Sequence, residues 1–274
     1  MPADLPGLVA DLAADLAAET ADLDAVLAPL PAAAWRTPTP AAGWSVADQV
    51  SHLTFFDEAA TRSAADPERF RAEAAGLTAL GGDFPDQVAA RYRGLAAADL
   101  LAWFRRARAE YLATFGAIDP GRRLPWYGPD MSPASSVTAR LMETWAHGLD
   151  ITDALGMPSK PTARLRHIAH LGVRTMGFSF ALRGLPAPDR PVRVDLTAPD
   201  GTAWTWGPPD AADRVTGPAL DFCLVVTQRR HRADTSLRAT GPVARQWLDI
   251  AQAFAGPPGP GRPPRGTPGP QPTP

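Results

Sequence analysis

Glu143 and His147 stand four positions apart in ARLMETWAHGLD, residues 139–150. On a helix, side chains at i and i+4 project together. The neighbours Leu141, Met142, Trp145, Leu149 and Ile151 are apolar, so the segment reads as a mostly buried helix. A carboxylate and an imidazole on such a helix need partners, because unpaired buried charge is costly. One possible partner is a metal ion. The plainer alternatives are a surface Glu–His contact and a histidine that only packs. A second histidine, His52 in VSHLTFF, lies among Val50, Leu53, Phe55 and Phe56. Two imidazoles and one carboxylate from facing helices make a donor set suited to Zn2+, with a fourth position open for a ligand. Fe2+ takes a similar set, so the residues do not name the metal.

Around this trio, other groups have two readings each. Asp150, three residues after His147, reads as an outer hydrogen-bond partner of the ligands or as a helix-end surface acid. Trp126 and Tyr127, in the loop before the Glu143 helix, read as pocket walls or as ordinary loop packing. His167 and His170, three apart, read as a second metal site or, more plainly, as a helix face near the domain junction, and His231, after two arginines, as solvated or close to substrate. Cys223 in ALDFCLVV reads as a small buried hydrophobe.

The elements that must position these groups follow from apolar spacing and capping. Residues 4–30 carry leucines at three- and four-residue intervals, one helical stripe. Prolines and Gly43 break the chain, and Ser45 with Asp48 reads as a capping box opening a helix through His52. Residues 96–117 form another helix, and Ser132–Pro133 starts the helix that bears Glu143 and His147, ended by Gly156 and Pro158. The pattern over 162–183 predicts one more long helix. Thereafter PVRVDLT and TAWTW alternate across the turn APDG, a hairpin signature. GPALDFCLVVTQRR reads as a helix, TSLRAT as a strand and PVARQWLDIAQAF as a closing helix. The expected fold is therefore mixed: a bundle of four or five long helices over 1–185, a small α+β domain over 186–255, and a disordered Pro/Gly-rich tail over 256–274.

Composition narrows the function classes. The chain has 274 residues, 45% of them hydrophobic, and a net charge of −2. No basic stripe points to nucleic acid, and no apolar run is long enough to span a membrane. The acidic N-terminus does not read as a secretory signal, and a lone cysteine allows no internal disulfide, so a cytoplasmic protein is expected. Oligomeric state is not legible.

GWSVADQVSHLTFFD and ETWAHGLDITDALG together resemble the DinB-like, mycothiol-dependent maleylpyruvate isomerase family. The resemblance implies a four-helix bundle holding a divalent metal through His52, Glu143 and His147. The closing stretch, from GPALDFCLVVTQRRH on, is similar to the family's small C-terminal domain. There the arginine that ends a T-G-R helix matters for activity. Here the motif is Thr227-Gln228-Arg229, so Arg229 matches, Gln228 departs from glycine, and Arg230 is a second cation nearby. The resemblance extends to an uncharacterised metal-binding subfamily, so it implies no particular substrate.

The resulting expectation is a metal-dependent enzyme that activates a low-molecular-weight thiol, mycothiol by resemblance, for isomerisation or S-transfer on a small carboxylate-bearing electrophile. Arg229 is the expected catalytic cation, Arg230 a substrate contact, and the active site is expected between the two domains with the open metal position facing Arg229. The alternatives are a thiol-independent metal-dependent hydrolase, lyase or cyclase, and a non-enzymatic ligand-binding bundle.

Overall fold

The computed structural model describes residues 4–259 and 261–265. It divides between Ser159 and Lys160 into two compact units. The first holds α1 (Leu5–Leu27), α2 (Val46–Ala65), α3 (Pro67–Thr78), α4 (Phe84–Arg91), α5 (Ala97–Gly116) and α6 (Pro133–Ala154). The four long helices make the expected bundle: α2 packs on α5 and α6, and α1 packs on the same two from the other side. Leu23 and Leu27 of α1, Val46, Val50 and Leu53 of α2, Leu100 and Phe104 of α5, and Ile151 of α6 share one core. Fully burying a side chain of that size contributes about 1.5–3 kcal/mol.

Caps set the helix starts. The Ser45 hydroxyl accepts from Asp48 N, and Asp48 Oδ2 accepts in return from Ser45 N at 2.8 Å. A cap of this kind contributes about 1 kcal/mol. Ser132 caps α6 through Ser135 N at 3.1 Å. The reading left 66–95 without elements, yet α3 and α4 lie there. Asp66 caps Arg69 N ahead of Pro67, a start signal of the same chemistry.

The second unit holds α7 (Leu165–Arg174), α8 (Met176–Leu182), β1 (Val192–Thr197), β2 (Ala203–Trp206), β3 (Asp213–Pro218), α9 (Ala219–Val226), β4 (Arg238–Thr240) and α10 (Pro242–Ile250). The sheet order is β2-β1-β3-β4, with β1 antiparallel to β2 and parallel to β3. The hairpin turn closes as expected, with Ala198 N donating to Thr202 O and Gly201 at φ 84. Three features differ from expectation. Strand β3 was not anticipated: it pairs in parallel with β1, so no hairpin turn announces it. The single helix over 162–183 breaks at Thr175, whose backbone leaves helical geometry while its hydroxyl donates to the Leu171 carbonyl. The units divide before α7 rather than near 185, because α7 turns its apolar face to α9. There Gly172 lies so close to Val226 that a Cβ would meet its Cγ2 at 2.8 Å.

The segment expected to be a tail is irregular where described, but it makes contacts. Gly259 O accepts from Arg183 Nη2 at 2.6 Å, and Arg265 N donates to Asp234 Oδ2 at 2.9 Å. The rest of that expectation, residues 260 and 266–274, lies outside the described residues. Among the described residues no helix is long and apolar enough to cross a membrane.

Candidate metal centre

Helix α2 brings His52, and α6 brings Glu143 and His147, to one point in the first unit. Their ligand atoms lie within 4.8 Å of one another. Glu143 Oε2 is 2.9 Å from His147 Nε2 and 3.6 Å from His52 Nε2, so one carboxylate oxygen faces both rings. The ring centroids of the two histidines are 4.5 Å apart.

The electrostatics suit ligands. Burial, followed by the nearby His147, pushes the His52 imidazole down to about 4, against the opposing pull of Glu143. His52 is therefore neutral near pH 7. Burial pushes the Glu143 carboxyl up, but the two facing imidazoles outweigh it and hold the group well below its usual value. Both groups thus sit in the protonation state a metal needs.

A relay behind His147 orients its ring. The Thr39 hydroxyl donates to Trp44 O at 2.9 Å and accepts from Gln49 Nε2 at 2.8 Å. The Gln49 carbonyl oxygen is thereby turned to His147 Nδ1, with which it makes a short contact. This network places a proton on Nδ1, which leaves Nε2 as the nitrogen that can offer its lone pair to a metal. That lone pair faces a carboxylate oxygen at 2.9 Å. Two acceptors at this distance need a cation between them, either a proton on Nε2 or a metal ion. His52 is held differently: its buried Nδ1 has no hydrogen-bond partner among the described residues, and the ring sits between Trp44 at 5.1 Å and Phe56 at 4.6 Å. The donor set and the fixed tautomer of His147 fit a divalent ion such as Zn2+.

Gln49 and Trp44 were missed in the sequence. Trp44 stacks on His147 with ring planes 17° apart. Gln49 is fully buried on a helix whose neighbours are apolar, and a buried amide without local partners was the available signal. Asp150 is buried rather than a surface acid, and it is Gln49 that meets His147 Nδ1. Trp126 and Tyr127 pack against Phe56, Phe70 and Phe84, and Phe56 links this aromatic cluster to His52. The described residues show no metal-type cluster at His167 and His170; His170 Nδ1 lies 3.3 Å from Trp206 Nε1.

Arg229 and Arg230 belong to the second unit, just past α9. Gln228 adopts φ 57, the left-handed conformation that glycine takes freely at a helix end. Its side chain donates to Ala251 O at 3.2 Å. The departure from glycine therefore keeps the turn, at a cost of about 1–2 kcal/mol. Arg229 Nη1 donates to Thr227 O, and Arg230 Nη1 to Arg229 O. Arg183, Arg230, His231 and Arg232 line a cavity of about 50 Å³ beside them. Cys223 is buried as expected, and desolvation raises its thiol pKa far above the usual value, which makes it unreactive.

Residues 16–152 match the family described as mycothiol maleylpyruvate isomerase N-terminal domain, and residues 188–240 match the one described as wyosine base formation. Two uncharacterized proteins of Mycobacterium tuberculosis, from strains CDC 1551 / Oshkosh and ATCC 25618 / H37Rv, are each 49% identical over 260 residues. The match covers 95% of this chain and 100% of theirs. Among solved structures, a mycothiol-dependent maleylpyruvate isomerase superposes with a TM-score of 0.58 at 13% identity, over 86% of this chain and 95% of that one. A histidine-to-alanine mutant of that enzyme gives the same values. At that identity the likeness concerns the fold.

Proposed function

Since the chain belongs to the mycothiol maleylpyruvate isomerase N-terminal domain family, we propose that it is a metal-dependent enzyme that activates a low-molecular-weight thiol, mycothiol in the first instance, against a small electrophilic substrate. The observation that carries this reading is the convergence of His52, Glu143 and His147, with neutral His52, ionised Glu143 and the His147 lone pair turned to one point. A divalent ion held there, Zn2+ by donor type, would lower the pKa of an incoming thiol and present it as thiolate.

The chain's own residues do the rest. The trio leaves a coordination position open to the thiol. Trp44 and Phe56 pack around the imidazoles and limit water at that position. No protein thiol competes, since Cys223 is sealed in the second unit. The thiolate can add to a conjugated double bond and leave again after rotation, which is isomerisation. It can also displace a leaving group, which is S-transfer. Arg229, the family-matched cation, is the proposed holder of an anionic substrate group. A cytoplasmic location belongs to the same proposal, because the thiol is an intracellular one.

Calorimetric titration of Zn2+-loaded protein with mycothiol tests this, with His147→Ala alongside. We expect saturable binding in the wild type, and loss of both metal and thiol binding in the variant. A full equivalent of metal in folded His147→Ala would sink the metal centre. Metal without thiol binding would move the protein to the hydrolase, lyase or cyclase class. Thiol binding with no turnover on any electrophile would leave a binding bundle.

A further inference from the structure

One turn before Glu143 on α6, a second cluster of charge is buried in the bundle. Asp57 of α2 is fully buried, and two guanidiniums converge on it. Arg108 of α5 donates from Nε to Asp57 Oδ2 at 2.7 Å and from Nη2 to Oδ1 at 3.3 Å. Its remaining reach is taken by Thr20 and Thr144. Arg140 of α6 donates from Nε to Asp57 Oδ1 at 2.8 Å and from Nη2 to Leu53 O at 2.9 Å.

Arg108 alone would satisfy Asp57. A second buried guanidinium costs several kcal/mol of desolvation and returns little stability once the carboxylate is already paired. Arg140 therefore needs another reason to be there. Its position supplies one. Arg140 and Glu143 are three apart on α6 and share a face. The carbonyl that anchors Nη2 belongs to Leu53, the residue after His52. The third edge of Arg140, Nη1, has no hydrogen-bond partner among the described residues, and it is not among the sealed polar atoms. A guanidinium held through two of its nitrogens, with the third unpartnered one turn before a ligand residue on the same helix, is a preorganised anion receptor.

Charge balance points the same way. The two carboxylates, Asp57 and Glu143, are matched by the two guanidiniums, Arg108 and Arg140. The charge of a divalent ion in the trio is then left for the ligand to meet, and anionic ligands meet it.

We propose that Arg140 Nη1 forms an anion subsite beside the His52–Glu143–His147 centre, and that it reads a carboxylate of the bound ligand. The inference rests on the metal reading for its charge balance, but the open Nη1 edge is independent of it. The probe is succinate, with uncharged succinamide as its shape control, titrated calorimetrically into Zn2+-loaded and metal-free protein. In the Zn2+-loaded wild type we expect succinate to bind at least about tenfold more tightly than succinamide, the scale of a charge-assisted hydrogen bond. Arg140→Gln should cut that preference at least about threefold, leaving only what the Zn2+ charge itself gives, with Zn2+ content unchanged. If Arg140 served only as a counter-ion of Asp57, Arg140→Gln would lower the melting temperature while the succinate preference stayed, and that result overturns the proposal. Arg140→Lys keeps the charge beside Asp57 and covers the case in which the Gln variant does not fold. It should weaken succinate binding at least about threefold, because an ammonium gathers its donors on one nitrogen and lacks the planar fork that reaches Asp57, Leu53 O and a ligand together; undiminished affinity overturns the proposal. Arg140-dependent succinate binding in protein that takes up no Zn2+ would uphold the subsite and refute the metal. Full Zn2+ with succinate binding indifferent to Arg140 would do the reverse.

Discussion

Replacing Gln49 by Leu tests how the metal centre is oriented. Gln49 is fully buried, its carbonyl faces His147 Nδ1, and its amide is fixed by Thr39. The Leu variant leaves the Nδ1–H without an acceptor, and burial prevents water from replacing it. A buried unsatisfied donor costs about 1–3 kcal/mol. Loss of an outer hydrogen bond to a metal-bound imidazole lowers metal affinity by about ten- to hundredfold, which is about 1.4–2.7 kcal/mol. The two scales agree, so we expect Zn2+ affinity to fall about thirtyfold, or about 2 kcal/mol. Competition with a chromogenic chelator at neutral pH measures it. Thr39→Val, which frees the Gln49 amide to turn, should move affinity in the same direction by less. In the metal-free protein the His147 proton can move to Nε2, where Glu143 accepts it at 2.9 Å, so the melting temperature of that form should stay level, which separates this outcome from general damage. If Gln49→Leu folds and binds Zn2+ within about twofold of wild type, the relay does not orient His147 and the assigned tautomer is wrong.

The remaining predictions concern pH and the second unit. The His52 imidazole is lowered from 6.5 to about 4, so the unfolded chain takes the proton first. The contribution of neutral His52 is complete above pH 6.5 and is lost as pH falls toward about 4, roughly 3 kcal/mol in all. Metal-free protein should melt at progressively lower temperature across that window, and His52→Gln should flatten the slope; an identical slope in the variant refutes the assignment. Arg229→Gln should lower catalytic efficiency about a hundredfold, or about 2.7 kcal/mol, with metal content and melting temperature unchanged. An arginine that serves only the helix dipole would instead change stability by about 0.3–1 kcal/mol and leave turnover alone. Unchanged kinetics in both Arg229→Gln and Arg230→Gln would remove the second unit's arginines from the reaction.

The sequence by itself determined what local chemistry controls. Ser45 with Asp48 and Ser132 with Pro133 announce helix starts, because caps satisfy backbone donors within three residues. Apolar stripes spaced at three and four placed the four bundle helices, because a helix must bury one face. The trio was legible for a related reason: ligand-type residues on apolar faces have to find one another. Only the tertiary structure decided what depends on which face meets which. The stripe of α7 says that something covers it, but not that α9 does, so the boundary falls before α7. Strand β3 is stabilised by a parallel partner distant in sequence, and no turn signals it. Gln49, separated from His147 by most of the bundle's length of chain, became a partner only when α2 met α6. The same meeting set Arg140 against an Asp57 already paired with Arg108, leaving one guanidinium edge over. Periodicity determines that a side chain is buried; the packing of helices distant in sequence determines what it is buried against.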